Sequence, residues 1–365
     1  MKALILAGGF GTRLRPLTCT RPKLMFPVAN RPLLDWVMEQ LSKNGVTTVV
    51  LAVNYMADVF IRHFGKSKYG MRILYSRETK PLGTGGPIKK AESLLNEDDE
   101  PFFVLNGDIL TTIDYRALYK AHLDANAEAT IALHEVENPS RFGVVDLNEN
   151  NQILRFVEKP KAEDAPSNLI NAGVYVLDHS VLDIIPDGKE VSIEREVFPI
   201  LADSKGLSGY RFGSLWVDIG KPNDYVLANK VMLDMIAAQN HIERGSKVSK
   251  KAKIIPPVAI AKRVVVEADA VVGPYASLGE AAVVKRGSRV ENSVMFPNAW
   301  IDCSSSIKNA IIGEGAIIGS WVKIEHDCIV GDHAIIGDNV TLTSNVKVCP
   351  SKNVSESVLQ PSIVL

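Results

Sequence analysis

The residues with the clearest chemical content lie near the start of the chain. Leu6-Ala7-Gly8-Gly9-Phe10-Gly11-Thr12-Arg13-Leu14-Arg15-Pro16-Leu17-Thr18 is followed by Arg21-Pro22-Lys23. Glycines let backbone N–H groups come close to phosphate oxygens, so this stretch can cradle an anion and is expected to lead towards a helix N-terminus or a nest. Arg13, Arg15 and Lys23 add cationic side chains suited to a triphosphate. Two familiar phosphate loops are excluded by residue type. A dinucleotide fingerprint starting at Gly9 needs glycine or alanine where Leu14 stands, and no Gly-Lys-Ser/Thr tripeptide follows. A second candidate, Asp108, follows the apolar run Phe102-Phe103-Val104-Leu105 and the turn Asn106-Gly107.

The apolar pattern supplies the elements that must position these groups. Ala3-Leu4-Ile5-Leu6 reads as a buried strand, and Leu34, Val37, Met38 and Leu41 mark a helix face closed by Gly45. Thr48 to Val53 predicts the next strand, Val59, Phe60 and Phe64 a helix, Met71 to Tyr75 a strand, residues 87–95 a helix, and Phe102 to Leu105 a strand. This alternation predicts an α/β fold: a Rossmann-like, mixed but mostly parallel sheet with helices on both faces. Ligands of such sheets bind beyond the carboxyl ends of the strands, so the glycine loop and Asp108 should share an edge. Further strands are expected at Ala129 to Glu135, Gly143 to Asp146, Ile153 to Glu158 and Ala172 to Leu177, with a closing helix from Asn223 to Gln239.

After residue 245 the period becomes six. Val248, Ile254, Ile260, Val266, Val272, Leu278, Val284 and Val290 form one series, and Ile312, Ile318, Ile324, Val330, Ile336 and Leu342 a second. The 22-residue gap from Val290 to Ile312 means that the phase slips between them. A six-residue repeat predicts a parallel β-helix with the aliphatic residue inside and small residues at the corners. The resemblance to hexapeptide-repeat proteins implies the left hand. The expected domains are 1–240, carrying the chemistry, and 246–365, the β-helix.

Composition limits the alternatives. Among 365 residues, 41 lysines and arginines face 42 acids, so no basic excess points to nucleic acid. No apolar run is long enough to span a membrane, and Ala3 to Ala7 is too short for a signal-peptide core. Cys19, Cys303, Cys328 and Cys349 show neither metal-ligand pairing nor a disulfide framework, so reduced thiols in a cytoplasmic protein are expected. The 7 histidines show no ligand spacing.

Further segments follow the loop in a recognisable order: Leu82-Gly83-Thr84-Gly85-Gly86-Pro87, Leu105-Asn106-Gly107-Asp108, Phe142-Gly143-Val144-Val145, Phe156-Val157-Glu158-Lys159-Pro160, Asn171-Ala172-Gly173-Val174-Tyr175 and Trp216-Val217-Asp218-Ile219-Gly220. Together these resemble the sugar-1-phosphate nucleotidyltransferases that make NDP-sugars, over residues 1–240. Within that family, Ser192-Ile193-Glu194-Arg195-Glu196-Val197-Phe198-Pro199 and Asp218-Ile219-Gly220-Lys221-Pro222 are most similar to the mannose-1-phosphate guanylyltransferases. Thymidylyl- and uridylyltransferases acting on glucose 1-phosphate share much of the rest. Gly107 departs from the serine that mannose-directed members often carry.

The resemblance implies transfer of a nucleoside monophosphate to a sugar 1-phosphate with release of pyrophosphate, GTP and mannose 1-phosphate being the favoured pair. It implies that Gly8, Gly9, Gly11 and Thr12 wrap the phosphates through backbone N–H groups and that Arg13 grips the β- and γ-phosphates. Lys23 would contact the α-phosphate or the incoming phosphate. Leu6 and Ala7, with Gly83 and Thr84, would form the base-recognition surface. Gly143, Glu158 and Asn171 would meet the sugar, Lys159 its phosphate, and Asp108 and Asp218 would coordinate Mg²⁺. Pro160 is expected to hold Lys159 extended. The β-helix is expected to serve as a regulatory platform and to join copies into a homo-oligomer, so that removing it would affect assembly more than chemistry. Two alternatives stay open: a non-catalytic subunit that binds nucleotide-sugar, against which all of Arg13, Lys23, Asp108 and Asp218 are present, and acyl transfer by the β-helix, against which His326 and His333 lie inside tight hexads.

Overall fold

The computed structural model describes residues 1–96, 100–236 and 241–365. Packing divides the chain into two compact units, Met1–Gly9 with Leu34–Asp218, and Phe10–Leu33 with Ile219–Leu365. Periodicity marks where the repeats begin, whereas packing assigns the segment after the first two glycines to the same unit as the repeats. The expected closing helix is observed as Pro222–Ile236; its proposed end at Gln239, like the 240 boundary, lies outside the described residues.

The first unit is built on a ten-stranded sheet. Lys2–Leu6 lies between Thr48–Val53 and Phe102–Asn106, and Met71–Arg77 continues beyond Thr48–Val53, all four running parallel. The first three are apolar in runs rather than alternating, as expected of strands buried on both faces; Thr48–Val53 is buried throughout, whereas Met71–Arg77 exposes Arg72 and Arg77. Leu169–Leu177 then pairs antiparallel with Phe102–Asn106, and Ala129–Glu135, Gly143–Leu147 and Ile153–Glu158 extend that side. The helical stretch expected at 87–95 is two short pieces, Gly86–Lys90 and Glu92–Leu95.

Several elements of this unit escape the apolar pattern, among them the Ile109–Thr111 strand and the Ser180–Ile184 helix. Tyr115–Ala125 is a helix whose N-cap, Asp114, accepts a hydrogen bond from Ala117 N at 3.0 Å. Phe198–Asp203 is another helix, while Leu207–Arg211 and Trp216–Asp218 are strands. Each is short or partly polar, so its period is not readable on its own.

The second unit contains the β-helix, with three sheets of eight, seven and six short parallel strands. Strands pair with one 17 or 18 residues later, as in Val265 with Val283 and Val283 with Trp300, except for the last pair, Lys347 with Ile363. The fold is the left-handed parallel β-helix expected from the repeat. The phase slip has a simple structural cause. The interior positions run Val290, Met295, Ile301, Ile307, Ile312, so two sides of the prism have five residues instead of six, and all these residues are buried. The corners carry left-handed backbone at Trp321, Asp327, His333, Asn339, Asn345 and Ser351. The small residues expected at the corners stand directly after the inward aliphatic, where space demands them: a Cβ on Gly279 would lie 2.6 Å from Pro297 N and one on Gly313 2.6 Å from Asp332 N.

The segment Phe10–Leu33 packs on this second unit. Phe26 meets Tyr225 and Phe296 edge-on, at centroid distances of 5.5 and 5.9 Å. The Tyr225 hydroxyl donates to Pro27 O. Asn229 Oδ1 accepts from both Ala29 N (2.9 Å) and Ser277 Oγ (2.8 Å), so one buried amide joins segment, helix and β-helix.

Candidate functional site

In the first unit the candidate residues gather at the carboxyl ends of the parallel strands. Leu6 stands in register with Asn106, and Gly107 N donates to Leu6 O at 3.2 Å. The start of the glycine loop and Asp108 therefore leave the sheet side by side, as the strand-order argument requires. Trp216–Asp218 pairs antiparallel with Ile109–Thr111, in a register that sets Asp218 opposite Ile109. Two acids 110 residues apart in sequence are thereby placed at neighbouring positions. Both are partly exposed. Among the described residues no cluster of three or more His, Cys, Asp or Glu could hold a metal. A pair of carboxylates at neighbouring, partly exposed positions is the kind of donor set that fits Mg²⁺, which takes hard oxygen ligands and uses few from the protein.

The sugar-side candidates lie together on the neighbouring antiparallel strands. Gly143 is in register with Glu158, and Lys159 N donates to Phe142 O at 3.0 Å, closing that ladder. Lys159 is not extended as Pro160 led one to expect. Its φ is +51°, because the residue turns out of the ladder directly after Glu158. Its ammonium lies 2.9 Å from Glu158 Oε1. The Asn171 side chain is committed within its own strand: Oδ1 accepts from Gly173 N at 2.8 Å, and Nδ2 donates to Tyr175 Oη at 3.0 Å. It thus shapes the irregularity between Asn171 and Tyr175. Trp216 Nε1 donates to Ala172 O at 2.9 Å, tying the strand that bears Asp218 to this bend.

The turn at Gly83 and Thr84 is fixed from the other side. Gly83 forms a parallel bridge with Val191, and Gly85 N donates to Val191 O at 2.8 Å. Glu194 Oε2 accepts from Thr84 Oγ at 2.5 Å and from Ser192 Oγ at 2.8 Å. Burial, with the Glu194 charge adding to it, pushes the Tyr175 phenol well above its ordinary pKa.

Sequence reading missed Glu78. It is the first residue after the Met71–Arg77 strand and half-buried, and desolvation raises its carboxyl pKa despite a backbone hydrogen bond from Leu82 and the nearby Lys90 charge. A Cβ on Gly8 would lie 2.8 Å from Glu78 Oε1, so Gly8 is the residue that lets the loop pass this carboxylate. The available signal was position: a polar residue at a strand's carboxyl end, on the edge where ligands bind.

In the second unit, Gly11, Thr12, Arg13 and Lys23 belong to a chain of tight turns rather than to the start of an α-helix. Single 3₁₀ turns cover Thr12–Leu14, Leu17–Cys19 and Lys23–Met25. Gly11 has φ +57°, and a Cβ there would be 2.9 Å from Thr18 Cγ2, so both conformation and space call for glycine. Thr18 Oγ donates to Gly11 O at 3.0 Å and closes the loop. Arg13 is exposed, whereas Lys23 is buried.

Comparison with known proteins covers the whole chain. The family model described as Nucleotidyl transferase matches residues 2–235, and the model described as GMPPB C-terminal domain matches residues 254–364. The chain is 38% identical over 370 residues to a probable mannose-1-phosphate guanylyltransferase 1 of Oryza sativa subsp. japonica, with 100% of both chains covered. It is 38% identical over 368 residues, again with 100% of both covered, to the mannose-1-phosphate guanylyltransferase catalytic subunit beta of Dictyostelium discoideum. Among solved structures, a putative glucose-1-phosphate thymidylyltransferase from Bacillus anthracis shares the fold at TM-score 0.59 and 23% identity, covering 66% of this chain and 98% of that one.

Proposed function

Because the chain belongs to the nucleotidyl transferase family, we propose that it joins GTP to mannose 1-phosphate, giving GDP-mannose and pyrophosphate. The observation that carries the choice of substrates is full-length similarity to relatives named mannose-1-phosphate guanylyltransferase, β-helix included.

In this reading a non-bridging oxygen of the sugar phosphate attacks the α-phosphorus of GTP. One P–O bond forms, the α–β bridging bond breaks, and pyrophosphate departs with the electron pair. The attacking oxygen is already ionised at neutral pH, so no general base is needed. Catalysis reduces to positioning and neutralising two polyanions. Gly8, Gly9, Gly11 and Thr12 would present backbone N–H groups to the phosphates. Arg13 would stabilise the departing pyrophosphate, and Lys23 would face the α-phosphate. Lys159 would hold the sugar phosphate, with Gly143, Glu158 and Asn171 against the sugar.

Asp108 and Asp218 are the residues that would hold Mg²⁺, and the metal, when bound, would offset charge on the phosphate oxygens. Leu6, Ala7, Gly83 and Thr84 would form the surface that receives the base. Glu78 favours guanine there, since a carboxylate can accept both N1–H and the N2 amino group, a donor pair that thymine and uracil lack. Assembly into a homo-oligomer through the β-helix belongs to the same proposal.

The test is pyrophosphate release by purified protein with Mg²⁺, over a grid of GTP, dTTP, UTP, CTP and ATP against mannose, glucose and N-acetylglucosamine 1-phosphates. A dominant GTP and mannose combination is expected. A different dominant pair would keep the reaction and replace the substrates, and no release from folded protein would favour a non-catalytic subunit.

A further inference from the structure

The segment Arg21-Pro22-Lys23 carries one cation that the proposed reaction does not use. Arg21 Nη2 lies 2.6 Å from Glu314 Oε2 and 2.6 Å from Asp332 Oδ2, both on the β-helix. Thr20 Oγ is 2.6 Å from the same Asp332 oxygen. The other oxygen, Asp332 Oδ1, accepts from Glu314 N at 2.7 Å, so the carboxylate is fixed by the coil beneath it before it meets the segment. Asp332 is almost fully buried, its side chain 3% exposed. The guanidinium also lies over the Phe296 ring, 4.9 Å from its centroid. Burial opposes the charge on Arg21, but Asp332 and Glu314 outweigh it and raise the pKa of the guanidinium. Its Nε is buried without a partner, so the group is held by the carboxylates and not by general packing of polar atoms.

Two residues beyond Arg21 stands Lys23, buried in the turn Lys23–Met25. Pro22 between them leaves little backbone freedom to uncouple the two. Beyond the turn, Phe26 and Ala29 are pinned by the Phe296, Tyr225 and Asn229 contacts. Lys23 is therefore bracketed by anchors: Thr20 and Arg21 on Asp332, Glu314 and Phe296 before it, and the Phe26 and Ala29 contacts after it.

We propose that Asp332 and Glu314 of the β-helix act through Arg21 as positioning residues for the phosphate-binding segment that presents Lys23. The β-helix is then part of the machinery that orients the triphosphate. This rests on the proposed function for its kinetic consequence, but not for its structural one.

The experiment compares the full-length wild type with Arg21→Ala, Arg21→Lys, Asp332→Asn and the double variant Arg21→Ala/Asp332→Asn. Steady-state pyrophosphate release from GTP and mannose 1-phosphate gives the kinetics, and amide hydrogen exchange reports residues 18–26 separately from the coils. Misplacement of a positioned cation by an ångström or less is expected to lower kcat about tenfold to a hundredfold, with the KM for mannose 1-phosphate nearly unchanged. The double variant should be no worse than the poorer single one, as for residues acting through one contact, and Arg21→Lys should recover part of the rate. Exchange should quicken at residues 18–26 and stay as in wild type over residues 283–318. Arg21→Ala leaves the β-helix sequence intact, so a folding defect peculiar to Asp332→Asn cannot mimic this result. Unchanged exchange at residues 18–26, or additive losses in the double variant, overturns the proposal. If wild-type protein releases no pyrophosphate from any pair, the function reading fails, and the exchange comparison alone decides this one.

Discussion

Asp108 and Asp218 owe their neighbouring positions to the strands that carry them. Asp108 follows a buried parallel strand, and Asp218 is brought beside it by the register of a three-residue strand. Replacing either by alanine should remove the proposed Mg²⁺ site while leaving both strands intact. Pyrophosphate release is expected to fall at least about a hundredfold, the scale of losing a principal electrostatic stabiliser, with the thermal midpoint close to that of wild type. Near-normal turnover of either variant with Mg²⁺ present would take that acid out of the site. Glu78 supports a subtler expectation. Glu78→Gln keeps the shape but replaces one acceptor oxygen by a donor that opposes the guanine N–H groups. The preference for GTP over UTP, measured as the ratio of kcat/KM values, should drop by about tenfold or more, in line with leaving a base edge mispaired. An unchanged ratio would mean that the base is read elsewhere.

At the scale of elements, long apolar runs and strict repeats were legible, and short polar pieces were not. The strands that start or end at Leu6, Val53 and Asn106 could be placed because runs such as Val49-Val50-Leu51 have no helical period. The six-residue series fixed the β-helix, yet only the structure shows that its slip comes from two shortened sides. Trp216–Asp218 was recognised as a motif but not as a strand, because three residues carry no period; its role depends on a partner strand 107 residues earlier in its register. The same limit hid a buried ionic cluster. Asp35 on the Leu33–Lys43 helix accepts from Tyr69 Oη at 2.8 Å, with His63 Nε2 2.6 Å away and Lys68 Nζ 2.8 Å away. Burial alone would raise the Asp35 pKa, but these partners hold it down at about 2. A carboxyl whose folded pKa lies below its unfolded value stabilises the fold above the unfolded pKa, near 4, and loses that contribution as pH falls towards 2. Asp35→Asn should therefore cost about 2 kcal/mol at pH 7 and flatten the stability profile between about pH 4 and 2. Urea midpoints across that range check it, and parallel profiles for variant and wild type would reject it.

For the whole molecule, the question is what the β-helix contributes. One of its sheets carries a ladder of outward apolar residues, ending in Ile317 and Ile335, which are 44% and 42% exposed and paired in register. If a second copy covers this face, Ile317→Lys/Ile335→Lys should lower the solution mass measured by light scattering without slowing turnover per chain. An unchanged mass would place any assembly surface elsewhere. Reading the repeat from sequence suggests that removing residues 246–365 would disturb assembly and spare chemistry. Packing within the second unit argues otherwise. Phe26 would lose Phe296, Arg21 would lose Asp332 and Glu314, and Asn229 would lose Ser277. A segment of short 3₁₀ turns stripped of these contacts has few hydrogen bonds of its own to hold it in place. The truncated chain should therefore keep the circular-dichroism signature of its α/β sheet but lose pyrophosphate release by more than about a hundredfold, because Lys23 and Arg13 no longer have fixed positions. A truncated chain that stays folded and turns over near the full-length rate would return the β-helix to the role of a platform.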